Sequence, residues 1–305
     1  MYLPEFLHEG DTVALIAPSG PQPPEKLTAA VESVLKFGLK PKVFPCCTKT
    51  HGYFAGTDRE RARDLTEAFA SPEIKAVICI RGGYGAHRLM EYVDFDAIAG
   101  SRKPLYGYSD ITALHMEMNR RGVISWHTPM PGTEWHKGLD NFTEQAVSAA
   151  LFGPMPKKLI NPEEGGALKA LIPGKAEGII CGGNLSLAAA SMGTFYEIDT
   201  KGKILFLEDV EESPYRVDRM LLNLRHGGKF EDCAGIIFGA FTDCEPDEGE
   251  ISLSIDEVIN ELAGDIKKPV ITGFQCGHVI PSACVPLGAR VLLDADNAEI
   301  RVLGV

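Results

Sequence analysis

The sequence predicts an α/β fold whose first half is a mostly parallel sheet covered by helices on both faces. Three observations carry that expectation. Short apolar runs alternate with stretches of helical spacing between residues 12 and 120. Two of the runs close on turn-forming residues: 12–17 on Pro18-Ser19-Gly20, and 74–80 on Arg81-Gly82-Gly83-Tyr84-Gly85. Repeated strand–helix units need crossover connections, and crossovers lay strands parallel.

Each element follows from its local pattern. Residues 12–17 (TVALIA) are a short apolar strand. Residues 25–37 have helical apolar spacing and end at Gly38; residues 42–44 read as a short strand. Residues 58–69 are charged and amphipathic, with Asp58 placed as an N-cap. The run 74–80 is a buried strand, 104–108 another, and 111–120 a helix. Near Phe152 the character changes. Residues 153–174 are rich in Pro, Gly and Lys and read as a linker between domains at 1–152 and 175–305. Beyond it, strands are expected at 178–181, 203–207, 234–238 and 269–272. Residues 289–303 read as a hairpin turning at Asp296-Asn297. A helix over 184–192 follows Gly182-Gly183. A second, over 214–225, has Ser213 at its N-cap, Pro214 at its first position and Gly227 past its end.

At 305 residues the chain is too long for one ordinary core and suits two domains. A net charge of -12 argues against nucleic acid as the main partner, because phosphate binding needs a basic surface. The eight cysteines are scattered without a C-x-x-C pair, so a reducing, cytosolic compartment is expected rather than a disulfide framework. The amino terminus lacks the basic start and apolar stretch of a signal peptide. No apolar run approaches the roughly 20 residues that cross a bilayer.

The sharpest chemical signal is Gly107-Tyr108-Ser109-Asp110, a serine between a short strand and a helix. That is the placement of a nucleophile elbow, although Ile111 stands where G-x-S-x-G has its second glycine. The competing reading makes Ser109 or Asp110 a helix cap. Residues 81–85 end a buried strand, and ligands of doubly wound sheets gather beyond such ends. Their glycines could bring backbone amides to an oxyanion, or simply form a tight turn needing positive φ. The stretch fits neither G-x-G-x-x-G nor a P-loop.

A serine nucleophile needs a base. His8, His51, His87, His136 and His226 lie in polar contexts and read as surface residues; His115 falls in the helix after Ser109. His127, after an apolar strand, and His278, in the loop after residues 269–272, both suit a base, and local sequence does not choose between them. Glu208 and Asp209 end a strongly apolar strand, where an α/β enzyme places an orienting carboxylate. Glu211 and Glu212 read as solvated acids before a helix. No His/Cys/Asp cluster has metal-ligand spacing.

Taken in order, these pieces resemble the LD-carboxypeptidase family of serine peptidases over nearly the whole chain. The resemblance runs from Gly10-Asp11-Thr12-Val13 to Pro18-Ser19-Gly20. It continues through Phe54-Ala55-Gly56-Thr57-Asp58 with Arg61, residues 81–85, Gly107-Tyr108-Ser109-Asp110, His127, Pro129 and Met130. In the second half it rests on Gly182-Gly183-Asn184-Leu185, on Leu207-Glu208-Asp209 with Glu212, Tyr215, Asp218 and Arg219, and on Gly277-His278.

The resemblance implies a flavodoxin-like N-terminal domain with a mostly parallel sheet plus a smaller β-rich C-terminal α/β domain. It implies a catalytic triad of Ser109, His278 and Glu208, and an oxyanion hole from the amides of Gly83 and Asp110. Arg81, Gly82, Tyr84, His127 and Asn184 are implied against the substrate, with the site in an interdomain cleft. Trp126 and Trp135 lie near the expected pocket, where either could stack on a base, and are expected as core or rim. The implied substrate is a muropeptide, cut between the L-centre of a diamino acid and a terminal D-alanine during cell-wall recycling in the cytoplasm. No cofactor, metal, nucleic acid or membrane is implied, and a homodimer is. A branch of the family instead cleaves peptidyl or aminoacyl nucleotides and confers immunity to microcin C. Apart from the resemblance, a doubly wound sheet with a glycine-rich loop also suits a non-catalytic small-ligand binding module.

Overall fold

A computed structural model describes residues 1–304. The chain forms two compact units, Met1–Met155 and a second from Pro156 onward.

The first unit is built from β1 (Thr12–Ile16), α1 (Pro24–Lys36), β2 (Lys40–Val43), α2 (Asp58–Ala70), β3 (Ala76–Cys79), α3 (Phe95–Gly100), β4 (Leu105–Gly107), α4 (Thr112–Arg120), β5 (Ser125–His127) and α5 (Asn141–Phe152). Its strands pair in the order β2-β1-β3-β4-β5, all parallel. This 2-1-3-4-5 order is the flavodoxin-like arrangement. Every residue of β3, β4 and β5 is buried, so both faces of the sheet are covered, as a parallel sheet requires. The strand order reverses between β1 and β3. The loops that leave their carboxyl ends, at 18–20 and 81–85, therefore flank the switch point where such sheets bind ligands.

The second unit carries β6 (Lys158–Leu159), β7 (Lys169–Ile172), β8 (Lys175–Asn184), α6 (Leu185–Ala190), β9 (Ile204–Val210), α7 (Pro214–His226), α8 (Lys229–Asp232), β10 (Gly235–Thr242), α9 (Ile255–Ala263), β11 (Val270–Thr272), β12 (Val285–Leu287), β13 (Arg290–Asp294) and β14 (Glu299–Gly304). Eight of its strands run in the order β6-β14-β13-β8-β9-β10-β11-β7. Strands β8, β9, β10 and β11 run parallel; β7 on one side, and β13, β14 and β6 on the other, pair antiparallel. The core of this sheet is the apolar centre of β9 and β10: Leu205, Phe206, Leu207, Ile236, Ile237 and Phe238 are all buried.

Several sequence expectations are corrected. Residues 153–174 are not a linker: they supply β6 and β7, which close opposite edges of the second sheet. Short, lysine-bearing strands suit exposed edges, and that composition mimics a linker. The division between the two units falls at 155/156, and the second is slightly the smaller. Thr57, not Asp58, caps α2, in a capping box with Glu60. Helices α5 and α9 were not foreseen, although the Ser254–Glu257 capping box of α9 is a readable signal.

Candidate active site

In the first unit, β4 delivers the chain to Ser109. Ser109 has φ +63, in the left-handed region, and opens a single turn of 3-10 helix that leads into α4. A side chain in that conformation costs about 1–2 kcal/mol. The same strain characterises a nucleophile elbow, where the sharp turn exposes the hydroxyl. Neither Ser109 nor Asp110 caps α4 through its side chain, so the cap reading does not describe this turn.

The elbow is held from below. The Gly107 carbonyl accepts hydrogen bonds from the Thr128 amide at 3.1 Å and from His115 Nε2 at 2.9 Å. Because that carbonyl can only accept, Nε2 carries the His115 proton, and Nδ1 accepts from the Ser125 hydroxyl at 2.8 Å. Burial pushes the His115 pKa down to about 4, so the ring is neutral. Sequence reasoning placed His115 only in a helix. Its role depends on a partner strand and has no local signature.

Asp110 is buried and reaches away from the helix. Its Oδ2 accepts from Ser19 Oγ at 2.5 Å and from the Ala86 amide at 2.7 Å. Burial raises its pKa, while those two donors oppose the shift. The Gly82 backbone lies against the elbow: a Cβ there would stand 3.0 Å from Ser109 Cβ and 3.1 Å from Oγ. Only glycine leaves the serine hydroxyl unobstructed on that side. Gly83 has φ +115 and is exposed.

In the second unit, β9 ends in two carboxylates that alternate in direction, as successive strand residues must. Glu208 is fully buried, and its Oε2 accepts from His278 Nδ1 at 2.8 Å. His278 is half-buried. Asp209 points to the other side. It accepts from Asn184 Nδ2 and the Val210 amide at 2.9 Å on one oxygen, and from the Ser186 amide and hydroxyl at 2.9 and 2.8 Å on the other. Burial, then the neighbouring Glu208 charge, raises its pKa. Asp209 thus fastens the start of α6, and Glu208 holds the histidine.

The remaining expected site residues have assigned contacts. Arg81 Nη1 donates to the Pro21 carbonyl at 3.1 Å. Tyr84 is exposed and packs on Tyr53, Phe54 and His87. His127 is buried at the end of β5, edge-on to Tyr108 with ring centroids 5.4 Å apart. Asn184 caps α6 and binds Asp209, which leaves its amide committed to the fold. Trp126 and Trp135 are both core residues. All eight cysteines are free and buried, and burial lifts Cys276, two residues from His278, well above the usual thiol range, which disfavours a thiolate. Among the described residues, no three His, Cys, Asp or Glu side chains gather as metal ligands, and no helix is long and apolar enough to cross a membrane.

The chain as a whole is similar to known proteins. Residues 13–128 match the LD-carboxypeptidase N-terminal domain, and residues 177–293 match the LD-carboxypeptidase C-terminal domain. A Bacillus subtilis protein named "Probable murein peptide carboxypeptidase" is 42% identical across 100% of this chain and 95% of its own. The crystal structure of a muramoyltetrapeptide carboxypeptidase from Oxalobacter formigenes superimposes with a TM-score of 0.85 at 31% identity, over 95% of this chain and 97% of that one. The microcin self-immunity protein MccF of Escherichia coli is 28% identical over 96% of this chain and 93% of its own.

Proposed function

The chain belongs to the LD-carboxypeptidase family, and from that membership we propose that it is a serine-type carboxypeptidase releasing terminal D-alanine from murein tetrapeptides. The observation that carries the chemistry is the left-handed Ser109, set between strand and helix and faced by a glycine backbone. The choice of substrate is supported by whole-length likeness to carboxypeptidases named for murein peptides.

In this reading Ser109 Oγ attacks the carbonyl carbon of the L,D-peptide bond while His278 Nε2 takes its proton. Glu208 holds the His278 Nδ1 proton and stabilises the imidazolium that forms. The amides of Gly83 and Asp110 receive the oxyanion. The imidazolium then protonates the departing D-alanine amine, and water, deprotonated by the same ring, releases the tetrapeptide remnant from Ser109. Arg81, Gly82, Tyr84 and His127 are assigned to substrate contact. Asn184, bound to Asp209, acts by keeping the end of β9 in place. The enzyme is taken as a cytoplasmic homodimer without cofactor; sedimentation of the purified chain tests the dimer.

The deciding experiment offers purified protein a panel of murein tetrapeptides and aminoacyl-adenylate analogues and measures D-alanine and nucleotide release. D-alanine release from the tetrapeptides is expected. Cleavage of the nucleotide analogues alone would move the chain to the microcin-immunity branch. No turnover, with no labelling by a serine-reactive probe, would leave a binding module.

A further inference from the structure

Beneath the glycine loop lie a buried guanidinium, of Arg61, and a buried carboxyl side chain, of Asp110, neither of which the acyl-transfer reading uses. Arg61, on α2, is fully buried. Its guanidinium donates to the carbonyls of Pro18, of Gly85 at 2.9 Å and of Gly56 at 3.2 Å, and to the Asp58 carboxylate. It also lies over the Phe54 ring, 4.7 Å from the centroid. Asp110 binds the residues that follow two of those carbonyls: the Ser19 hydroxyl and the Ala86 amide. The loop after β1 and the loop after β3 are thus each gripped twice, by Arg61 at one residue and by Asp110 at the next. The Gly20 amide stitches the same two loops by donating to the Gly82 carbonyl at 3.1 Å.

Such an arrangement is a costly way to fill space. Burial penalises the guanidinium and lowers its pKa, and an apolar side chain of similar volume would often stabilise the fold as well. What an apolar filler lacks is direction. A planar fork with fixed N–H vectors sets where two carbonyls sit to within tenths of an ångström.

We propose that Arg61 is a positioning residue for acyl transfer: with Ser19 and Asp110 it clamps the loops after β1 and β3 and sets the Gly82–Gly83 backbone against Ser109. The proposal rests on the reading of Ser109 as nucleophile. Arg61 and Ser19 touch no reacting atom in it and act only through the loop they hold.

The test compares Arg61→Lys and Ser19→Ala with the wild-type chain. Active sites are counted with a fluorophosphonate probe, kcat and KM are measured on a murein tetrapeptide, and inhibition is measured with a phosphonate that mimics the tetrahedral intermediate. Displacing an oxyanion donor by about 1 Å costs on the order of 100-fold. Arg61→Lys should therefore lower kcat per titrated site by about 100-fold, and Ser19→Ala by about 10-fold. KM should stay within about twofold, and phosphonate affinity should fall in step with kcat/KM. Unchanged kcat per titrated site in both variants, with only the number of sites reduced, would mean the clamp serves stability and overturns the proposal. If Arg61→Lys does not fold, Ser19→Ala decides by the same criterion. A wild-type chain that neither releases D-alanine nor labels at Ser109 brings down the functional reading and the clamp with it. An active wild type with unaltered variants brings down the clamp alone.

Discussion

His278 Nδ1 donates to Glu208 Oε2 at 2.8 Å, and the Gly277 backbone is packed so tightly on that carboxylate that a Cβ there would stand 2.5 Å from Oε2. Because a carboxylate only accepts, the bond assigns an imidazole proton to Nδ1, and Nε2 is the nitrogen proposed to act as the base. Gly277 also has φ +120, which side chains rarely adopt. Gly277→Ala should therefore separate the pair and lower turnover by about 100-fold, with far-UV circular dichroism unchanged. A folded variant with full kcat would show that the pair tolerates displacement.

The two carboxylates at the end of β9 should respond differently. Glu208→Gln removes the charge that orients His278 and should cost about three to four orders of magnitude in kcat. Asp209→Asn disturbs the three hydrogen bonds that fasten α6 and should cost about 1–3 kcal/mol of stability, with kcat changed by less than about 10-fold. Denaturant titration alongside steady-state kinetics separates the two outcomes, and the reverse order would reassign the strand end.

Ser109→Ala should lose about three or more orders of magnitude in turnover and all labelling by a serine-reactive probe. Gly82→Ala provides a geometric counterpart. Its Cβ would crowd Ser109 Cβ and Oγ at 3.0 and 3.1 Å, so labelling should slow by at least about 10-fold while Ser109 itself is intact. Equal labelling rates would place the serine's open side elsewhere.

Stability should fall in mild acid through His115. Its pKa is depressed from 6.5 to about 4 by burial, so its contribution is complete above about pH 6.5 and is lost as pH falls towards 4. Across that window the loss is roughly 3 kcal/mol. Asp110, with its pKa raised, acts in the opposite sense, so a difference experiment isolates the histidine. His115→Gln keeps a donor for the Gly107 carbonyl but does not titrate. Its stability deficit relative to wild type should narrow by about that amount between pH 7 and pH 4.5; a constant deficit would contradict the neutral, buried assignment.

Exhaustive dialysis against a strong chelator should leave D-alanine release unchanged, since the proposed reaction needs a nucleophile, a base and oxyanion donors, all supplied by side chains and amides. Loss of activity restored by one added metal would reassign the chemistry and demote Ser109.

Much of this architecture is legible in the chain because its signals are local. An apolar run closed by Pro18-Ser19-Gly20 or by Arg81-Gly82-Gly83 marks a buried strand and the turn after it without reference to any partner. The position of Ser109 between strand and helix is legible for the same reason. The edge strands β6 and β7 are not legible, because short lysine-bearing segments suit an exposed edge as well as a linker. His115 and Arg61 carried no role in the sequence, because a buried polar residue is defined by partners that spacing along the chain does not reveal.

By itself the sequence determined the alternation of strands and helices, the strand-end placement of Ser109 and of Glu208-Asp209, and the glycine loop. Periodicity and turn chemistry are properties of neighbouring residues. Local pattern left open which carboxylate takes the histidine, and the tertiary structure pairs the one that the family resemblance implies: Glu208 and His278 stand 70 residues apart, and the pleat of β9 turns Glu208 towards the ring and Asp209 towards α6. It also decided that Asp110 spans to Ser19 and Ala86 rather than capping α4, because the 2-1-3-4-5 strand order lays the loops after β1 and β3 beside the elbow that follows β4. Contacts between segments distant in the chain are fixed by sheet order and burial, and neither is written in any one segment.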